Sequence, residues 1–432
     1  MEEYRGIDYL RNKLKKKKRR NETRYRFYEM KNRMKDFNIT TPKEFRAMKE
    51  CIGWCTKSVD VIADRLSFRE FSNDIYKINE IYNMNNPDIL FDSAIISALI
   101  TSCSFIYISK NIDGYPQLQV IDGRNATGIL DPITNMLTEG YAVLERDSKG
   151  NPTLEAYFTK EKTEYYEKGE EPYSEINVAP YALLVPVIFR PDPKRRFGHS
   201  RISRAQMAIQ ESAMRTLKRA EISAEFYSFP QKYILGMSQD SEEMDSWKAT
   251  ISTFLNFTKD EDGDHPSVGQ FQQQSMTPYV DQMKMFASLF AGESGLTMDD
   301  LGFSTDNPSS VEAIKAQHEN LRLIGRRAQK TFGSAFINAG YLAACVRDGK
   351  AYKRNAIYLT KPKWEPLFEP DSSTLTVIGD GVSKINTAVP GYFTKENLRD
   401  LTGIDYNSDI NVNSQVDIKE MVSQKEQMNE GE

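Results

Sequence analysis

A long helix with a narrow seam of small residues, predicted over 200–228, constrains the fold of this chain more than any other feature. An apolar strand that ends at Phe189 and a turn rich in Pro and Gly precede it, and Pro230 follows it. At 1.5 Å per residue such a helix is roughly 40 Å long. We expect it to pack along its seam against a parallel helix, either in the same chain or in a second copy. The seam recurs in steps of three and four residues and consists of Ile202, Ala205, Ile209, Ala213, Leu217, Ala220, Ala224 and Tyr227.

Two more helices are predicted in the second half of the chain. Thr277 and Pro278 form an N-cap followed by proline, which starts a helix over 277–294. A polar loop over 295–309 follows, and a capping box at its end opens a very long helix over 310–347. Three glycines in this helix predict a bend or a close contact with another element. They are Gly325, Gly333 and Gly340.

The region from 104 to 189 has a different sequence pattern, in which short runs of strand-forming residues are separated by turns that contain Gly, Pro, Asn and Asp. It predicts an antiparallel sheet packed on helices, which are expected near 45–66 and 87–99. Further strands are expected at 357–359 and 374–377, and a short helix at 395–401. The fold class is therefore α+β.

The net charge of −4 conceals a strong asymmetry. Residues 1–50 contain 17 Lys and Arg against 8 Asp and Glu, so this segment carries +9 and the remainder about −13. The basic run Lys15, Lys16, Lys17, Lys18, Arg19 and Arg20 lies at its centre. We expect a flexible arm over 1–40 that contacts DNA or a neighbouring shell protein, with a solvated, disordered terminus as the equally weighted alternative.

Several classes of site are disfavoured. The longest apolar run, 94–108, is too short and too polar to span a bilayer, and no secretory signal is recognised at the start of the chain. Cys51 and Cys55 have no second ligand pair, and His199 and His318 have no recognisable partners, so core or structural roles are favoured. The acidic cluster over 260–265 lacks the spacing of a calcium loop. The chain has no phosphate-binding loop of the GxxxxGK[ST] type, and we predict neither a cofactor nor a metal.

The segment from Val185 to Gly236 resembles the portal proteins of tailed bacteriophages of the siphovirus type. The resemblance rests on the order strand, basic turn with Gly198, His199 and Ser200, long helix and second strand. It implies an α+β wing over 41–199, a first stem helix over 200–228 and a small β-containing clip over 229–276. After the clip come a second stem helix over 277–294 and a tunnel loop over 295–309. These are followed by a long kinked helix over 310–347 and by a return to the wing or a small crown over 348–404. A polar tail over 405–432 ends the chain.

The resemblance also implies functional surfaces. The tunnel loop would face DNA in a channel through Thr297, Asp299, Asp300, Ser304, Thr305, Asp306 and Asn307, and Lys284 would be a basic residue of that channel. The seams of the stem helices would form contacts between subunits. These contacts are assigned to Ile202, Ile209, Ala213, Leu217, Ala220, Ala224, Met283 and Phe286.

The function implied by the resemblance is that of a passive, non-enzymatic conduit. Such a protein would be made in the host bacterial cytoplasm and form a ring, by family a dodecamer, at one capsid vertex. Its partners would be double-stranded DNA, the terminase, capsid and scaffold proteins and the head-tail connector, with no membrane involved. Another virion structural or scaffold-binding protein is the alternative, and a metal-dependent enzyme acting on nucleic acid is third.

Overall fold

The fold combines helices with antiparallel sheets, as expected. A computed structural model of the chain describes the following residues: 4–35, 45, 47–111, 113–228, 232–235, 267–270, 275–303, 316–368, 370 and 372–404. The described helices are α1 (Ile7–Tyr28), α2 (Trp54–Ala63), α3 (Ile78–Asn83), α4 (Pro87–Thr101), α5 (Arg204–Ser228), α6 (Thr277–Ser294), α7 (Glu319–Asp348), α8 (Ser372–Ala388) and α9 (Lys395–Thr402).

The described strands are short and all of their pairings are antiparallel. They are β1 (Phe68–Ser72), β2 (Cys103–Lys110), β3 (Pro116–Ile121), β4 (Ala126–Leu130), β5 (Leu137–Arg146), β6 (Pro152–Thr159), β7 (Lys162–Glu167), β8 (Tyr173–Ile176), β9 (Leu184–Ile188), β10 (Lys232–Leu235), β11 (Ser267–Gln270) and β12 (Lys361–Trp364).

Four sheets organise these strands. The central one has the order β3-β2-β9, and the next is a five-stranded meander from β4 to β8. β10 and β11, which come between α5 and α6 in the chain, pair as a two-stranded antiparallel sheet. β1 and β12, which lie about 290 residues apart, pair with Phe68 opposite Trp364. The turns predicted near 113–114, 149–152 and 168–169 connect neighbouring strands of the two larger sheets, as expected.

The main core surrounds α7. Its glycines do make close contacts, as the sequence predicted, because elements packed on the helix leave no room for side chains. A Cβ on Gly340 would lie 2.1 Å from Cγ2 of Ile78 in α3, and one on Gly333 would lie 2.5 Å from Pro362 in β12. Phe336 of the same helix packs on the ring of Phe68, which brings β1 into this core.

The expectation of a flexible N-terminal arm is wrong for residues 7–28, which form α1. Leu10 and Leu14, one helical turn apart, are buried against Tyr141 and Tyr157 of the meander. Near the end of the helix, Phe27 is buried in the main core. These few apolar contacts are sufficient to fix a helix whose remaining side chains are mostly charged.

Other local predictions also fail. The helix expected over 45–66 begins only at Trp54. Residues 354–359 form a 3₁₀ turn instead of a strand. Residues 374–377 lie within helix α8, because the β-branched residues that suggested a strand continue there at helical spacing. The prediction of a short helix at 395–401 is confirmed, since this helix is α9. Its Asp400 forms an ion pair with Arg69 of β1, with 2.6 Å between Oδ1 and Nη2.

We predict that Gly340→Ala lowers the free energy of unfolding by about 1–3 kcal/mol, because the new methyl group overpacks the contact with Ile78. Gly292→Ala is the matched control, since Gly292 is also helical and a Cβ there would meet nothing within 4 Å. The control is expected to be neutral or stabilising by up to about 1 kcal/mol. Thermal and denaturant unfolding measure both variants, and equal effects would contradict the packing of α7 on α3.

Candidate functional surfaces

Helix α5 starts from a capping box formed by Ser203 and Gln206. The backbone N–H of Ser203 donates to Oε1 of Gln206 at 2.9 Å, and the backbone N–H of Gln206 donates to Oγ of Ser203 at 3.1 Å. This reciprocal pair satisfies two amides that would otherwise lack partners in the first turn. The helix therefore begins at Arg204, a few residues after the expected start.

A buried arginine fixes the base of this helix. Arg201 is 5% exposed, and its Nε donates to the carbonyl of Ser58 in α2 at 2.9 Å. Its Nη2 donates to the carbonyl of Ser294, the last residue of α6. Its backbone N–H donates to the carbonyl of Leu99 in α4 at 2.7 Å. Burial, with a smaller contribution from nearby Arg190, lowers the pKa of Arg201 to about 10, so the guanidinium remains charged at neutral pH.

The partner of α5 is α6 of the same chain, and the two helices are antiparallel. Ser203, before α5, donates a hydrogen bond to Glu293 at the end of α6 at 2.9 Å. Thr216, in the middle of α5, donates to Gln282 near the start of α6, also at 2.9 Å. Because residue numbers rise along one helix as they fall along the other, the partner of α5 within the chain is antiparallel, and a parallel neighbour in a second copy stays a prediction.

This pairing corrects part of the predicted subunit interface. Ile202 and Ala213 have no exposed surface and belong to the chain's own core, so they cannot contact a second copy. Ile209, Met283 and Phe286 are partly buried against the same core. The rest of the seam, Leu217, Ala220 and Ala224, is partly exposed farther along α5 and stays a predicted subunit contact.

The first half of the predicted tunnel loop is folded onto the protein. The backbone N–H of Thr297 donates to Oδ2 of Asp300 at 2.8 Å, and that of Asp300 donates to Oγ1 of Thr297 at 3.1 Å. Lys57 of α2 donates to the carbonyl of Asp300 at 3.0 Å. Leu296 and Leu301 are buried. Residues 296–301 are therefore an anchored turn, and contact of Thr297 and Asp300 with a channel stays a prediction.

The remaining residues of the loop differ in position. Asp299 is exposed, as is Lys284 on α6. Ser304, Thr305, Asp306 and Asn307 lie outside the described residues, so their contact with a channel stays a prediction.

Two histidines have carboxylate partners that the sequence did not reveal. Nε2 of His318 lies 3.5 Å from the Asp300 carboxylate, and Nε2 of His199 contacts Asp192 in the turn before α5. Burial alone would raise the pKa of Asp300, but bonds from Thr297 and the nearby His318 hold this pKa below its ordinary value. In both pairs the two residues are brought together by turns. Helical spacing in the sequence therefore gives no sign of the pairing.

The cationic run of α1 is mostly on the surface. Lys15, Lys16, Lys17, Arg19 and Arg20 are exposed, while Lys18 is partly buried and lies 3.9 Å from Glu22. Contact of this run with DNA or a shell protein stays a prediction.

Other classes of site receive no support in the described part of the chain. It holds no group of three or more His, Cys, Asp or Glu side chains placed to bind a metal ion. None of its helices has both the length and the apolar character needed to cross a membrane. Cys55 is buried, as expected for a core thiol, and burial raises its pKa, whereas Cys51 is exposed.

Comparisons with known proteins agree with the resemblance found in the sequence. A family model described as phage portal protein, SPP1 Gp6-like, matches residues 7–371. Two curated relatives, the portal proteins of Mycobacterium phages L5 and D29, are each 24% identical to this chain over 397 residues. These alignments cover 86% of this chain and 80% of each relative.

Solved structures of a gene transfer agent are also similar. The neck of the native particle, computed with C12 symmetry, gives a TM-score of 0.45 at 12% identity, covering 81% of this chain and 89% of that one. The neck of the empty particle, computed with C6 symmetry, gives 0.48 at 11% identity, with 81% and 90% covered.

We predict that Arg201→Ala lowers the free energy of unfolding by about 2–4 kcal/mol, because two buried carbonyls lose their donor. Arg204→Ala is the control, since Arg204 is exposed only three residues away, and its effect is expected within about 0.5 kcal/mol. Denaturant unfolding followed by circular dichroism measures both. Similar small effects in the two variants would show that Arg201 does not anchor the helix pair.

Proposed function

Because the chain belongs to the phage portal protein family, we propose that it forms a closed ring at one capsid vertex and conducts double-stranded DNA into and out of the head. The observation that carries the proposal is the family match over residues 7–371, which includes every described element from α1 to β12. The family is a structural one, so the proposed role is that of a passive conduit. Synthesis in the host bacterial cytoplasm and twelve subunits per ring are part of the proposal.

Self-assembly is supported by helix α8, none of whose residues is fully buried by the part of the chain that the structure describes. Its apolar side chains nevertheless recur at steps of three and four, as in a helix that packs on one side. Ile385, on this apolar side, is 42% exposed. In a ring, we propose that a neighbouring copy covers this face, whose members are Leu375, Ile378, Val382 and Ile385, together with Val389 just after the helix.

The antiparallel pair α5 and α6 suits the proposed stem. The pair is anchored at one end by Arg201, and the paired strands β10 and β11 lie between the two helices in the sequence. We assign residues 229–276 to the clip, where the terminase would dock during packaging and the head-tail connector afterwards. Capsid and scaffold proteins would contact the opposite, sheet-containing part of the ring.

Charge favours sliding over capture in the proposed channel. Nonspecific affinity for DNA depends mainly on Lys and Arg contacts with phosphate, and residues 51–432 carry a net negative charge. We propose that residues 304–307, with Asp299 and the basic residue Lys284, line the channel. The folded turn before residue 304 would hold the loop in place.

A second candidate is another virion structural or scaffold-binding protein that uses α1 to contact DNA. The exposed cations of α1 are the observation in its favour. It would form open or irregular assemblies, whereas the portal role requires closed rings with a hole wide enough for a DNA duplex.

We predict that the protein forms closed rings and that Ile385→Glu prevents their formation without unfolding the chain. A charge on the apolar face of α8 must be desolvated in the interface, whereas in the free chain the residue is already 42% exposed. Thr387→Glu adds the same charge about 200° around the helix and is the control that should still form rings. Electron microscopy and native mass measure assembly, and circular dichroism measures folding. Intact rings from Ile385→Glu would remove α8 from the interface, and open or irregular assemblies of the unchanged protein would favour the second candidate.

We predict that replacing residues 304–307 with Gly and Ser leaves ring assembly unchanged and reduces packaging or retention of DNA. The exchange spares the anchored turn, so the fold should be preserved. The control is an equally long Gly and Ser exchange at 168–171, in the turn between β7 and β8. Nuclease-protected DNA per head, measured in complemented phage, is the readout. Equal DNA content in the two variants would remove the loop from the channel.

A further inference from the structure

A cleft lies between α1 and the turn that precedes α5. Its volume is about 280 Å³, near the lower end of the range for sites that bind small ligands. No Asp or Glu is among the described residues that line it. Its cationic lining comes from two segments and consists of Lys13, Lys17, Arg20 and Arg24 of α1 together with Lys194, Arg195 and Arg196 of the turn.

The four cations of α1 reach the cleft because of their spacing. They follow one another at steps of four, three and four residues, which places them on one face of a helix. Arg19 and Lys16 belong to the same basic run but do not line the cleft. The run is therefore divided into a face that lines the cleft and a face that is solvated.

The turn is held in place by its own hydrogen bonds. Oδ1 of Asp192 accepts the backbone N–H groups of Lys194 at 2.8 Å and Arg195 at 2.6 Å. Gly198 has φ of +71°, and a Cβ there would lie 2.0 Å from the carbonyl oxygen of Phe189. Because the backbone is fixed in this way, the cationic side chains of the turn project from a preorganised support.

Two buried polar atoms at the cleft have no hydrogen-bond partner among the described residues. Asn21 is 5% exposed, and its amide nitrogen donates to the carbonyl of Gly123 at 2.7 Å, but its Oδ1 is unpaired. Nε of Arg24 is also unpaired. Burial, together with nearby Arg20 and Arg195, lowers the pKa of Arg24 to about 10. Buried donors and acceptors are seldom left unsatisfied, which indicates a ligand or water at this place.

The nearest carboxylates are engaged elsewhere. Asp192 contacts His199. Glu139 accepts the backbone N–H groups of Arg5 and Gly6, each at 2.9 Å. Asp131 accepts the N–H of Ile133 and the hydroxyl of Thr134. Glu139 and Asp131 still attract Lys13 and Arg196, but within the described lining of the cleft no carboxylate pairs with a cationic side chain.

We propose that this cleft binds phosphate groups. Guanidinium groups match the oxygens of phosphate in a bidentate manner, and lysines add point charges. A phosphate dianion or a pyrophosphate carries more negative charge than a single carboxylate and so balances this lining better. The phosphate belongs either to a small polyphosphate compound or to the backbone of DNA. The site needs only a single chain and does not depend on ring formation or on the proposed function.

Isothermal titration calorimetry of the full chain with sodium pyrophosphate at about 50 mM salt tests the proposal. The cleft variant is Lys17→Gln with Arg20→Gln, and the control is Lys16→Gln with Arg19→Gln. All four residues are exposed on the same helix, and both double variants lose two positive charges. We expect the affinity for pyrophosphate to fall about tenfold or more in the cleft variant and less than twofold in the control.

Two further titrations identify the source of the phosphate. A 12-base-pair DNA duplex that competes with pyrophosphate and loses affinity only in the cleft variant would assign the site to the DNA backbone. A duplex that binds without competing would assign it to a small polyphosphate. No binding of pyrophosphate, an equal loss in both double variants, or stronger competition by poly-glutamate than by pyrophosphate would overturn the proposal.

Discussion

The junction of helices at Arg201 is the interaction on which the arrangement of this protein depends. A buried guanidinium is usually neutralised by a carboxylate, but here the recorded acceptors are backbone carbonyls of α2 and α6. The carbonyl of Ser294 ends α6 and lacks a partner within its own helix, so the arginine satisfies it and is stabilised by its partial negative charge. The carbonyl of Ser58 lies inside α2, and the bond from Arg201 ties that helix to the same point. The α5 and α6 pair is thereby fixed to the helices beneath it at one point.

The sequence predicted the elements whose signals are local. The bounds of α6 were predicted correctly, because an N-terminal proline and a glycine after the last residue mark its ends. Helix α5 was predicted to within a few residues, because its seam has helical spacing and Pro230 follows its end. Helix α1 was mistaken for a mobile arm because Leu10, Leu14 and Phe27 are sparse among charges, and only the sheet surface that buries them shows their role.

The candidate surfaces were harder to predict, because a pattern of residues does not state which partner covers it. The seam of α5 indicated packing correctly, but Ile202 and Ala213 are buried in the chain's own core. The pairing of Asp300 with His318 joins residues on either side of a long polar segment, and no periodicity connects them. The spacing of the basic run already places its cations on two faces of a helix. Only the structure shows that one of these faces lines a cleft together with the turn at 194–198.

The pairing of β1 with β12 has a consequence for synthesis of the chain. Residues 68–72 leave the ribosome about 290 residues before their partners at 361–364, which at bacterial or slower elongation rates is a delay of about 15–60 s. During that time β1 is an unpaired edge strand, and Phe68 lacks the rings of Phe336 and Trp364 that later surround it. Until β12 is made, the unpaired edge of β1 can associate with other chains. We therefore expect a chaperone to be needed most between the emergence of β1 and that of β12.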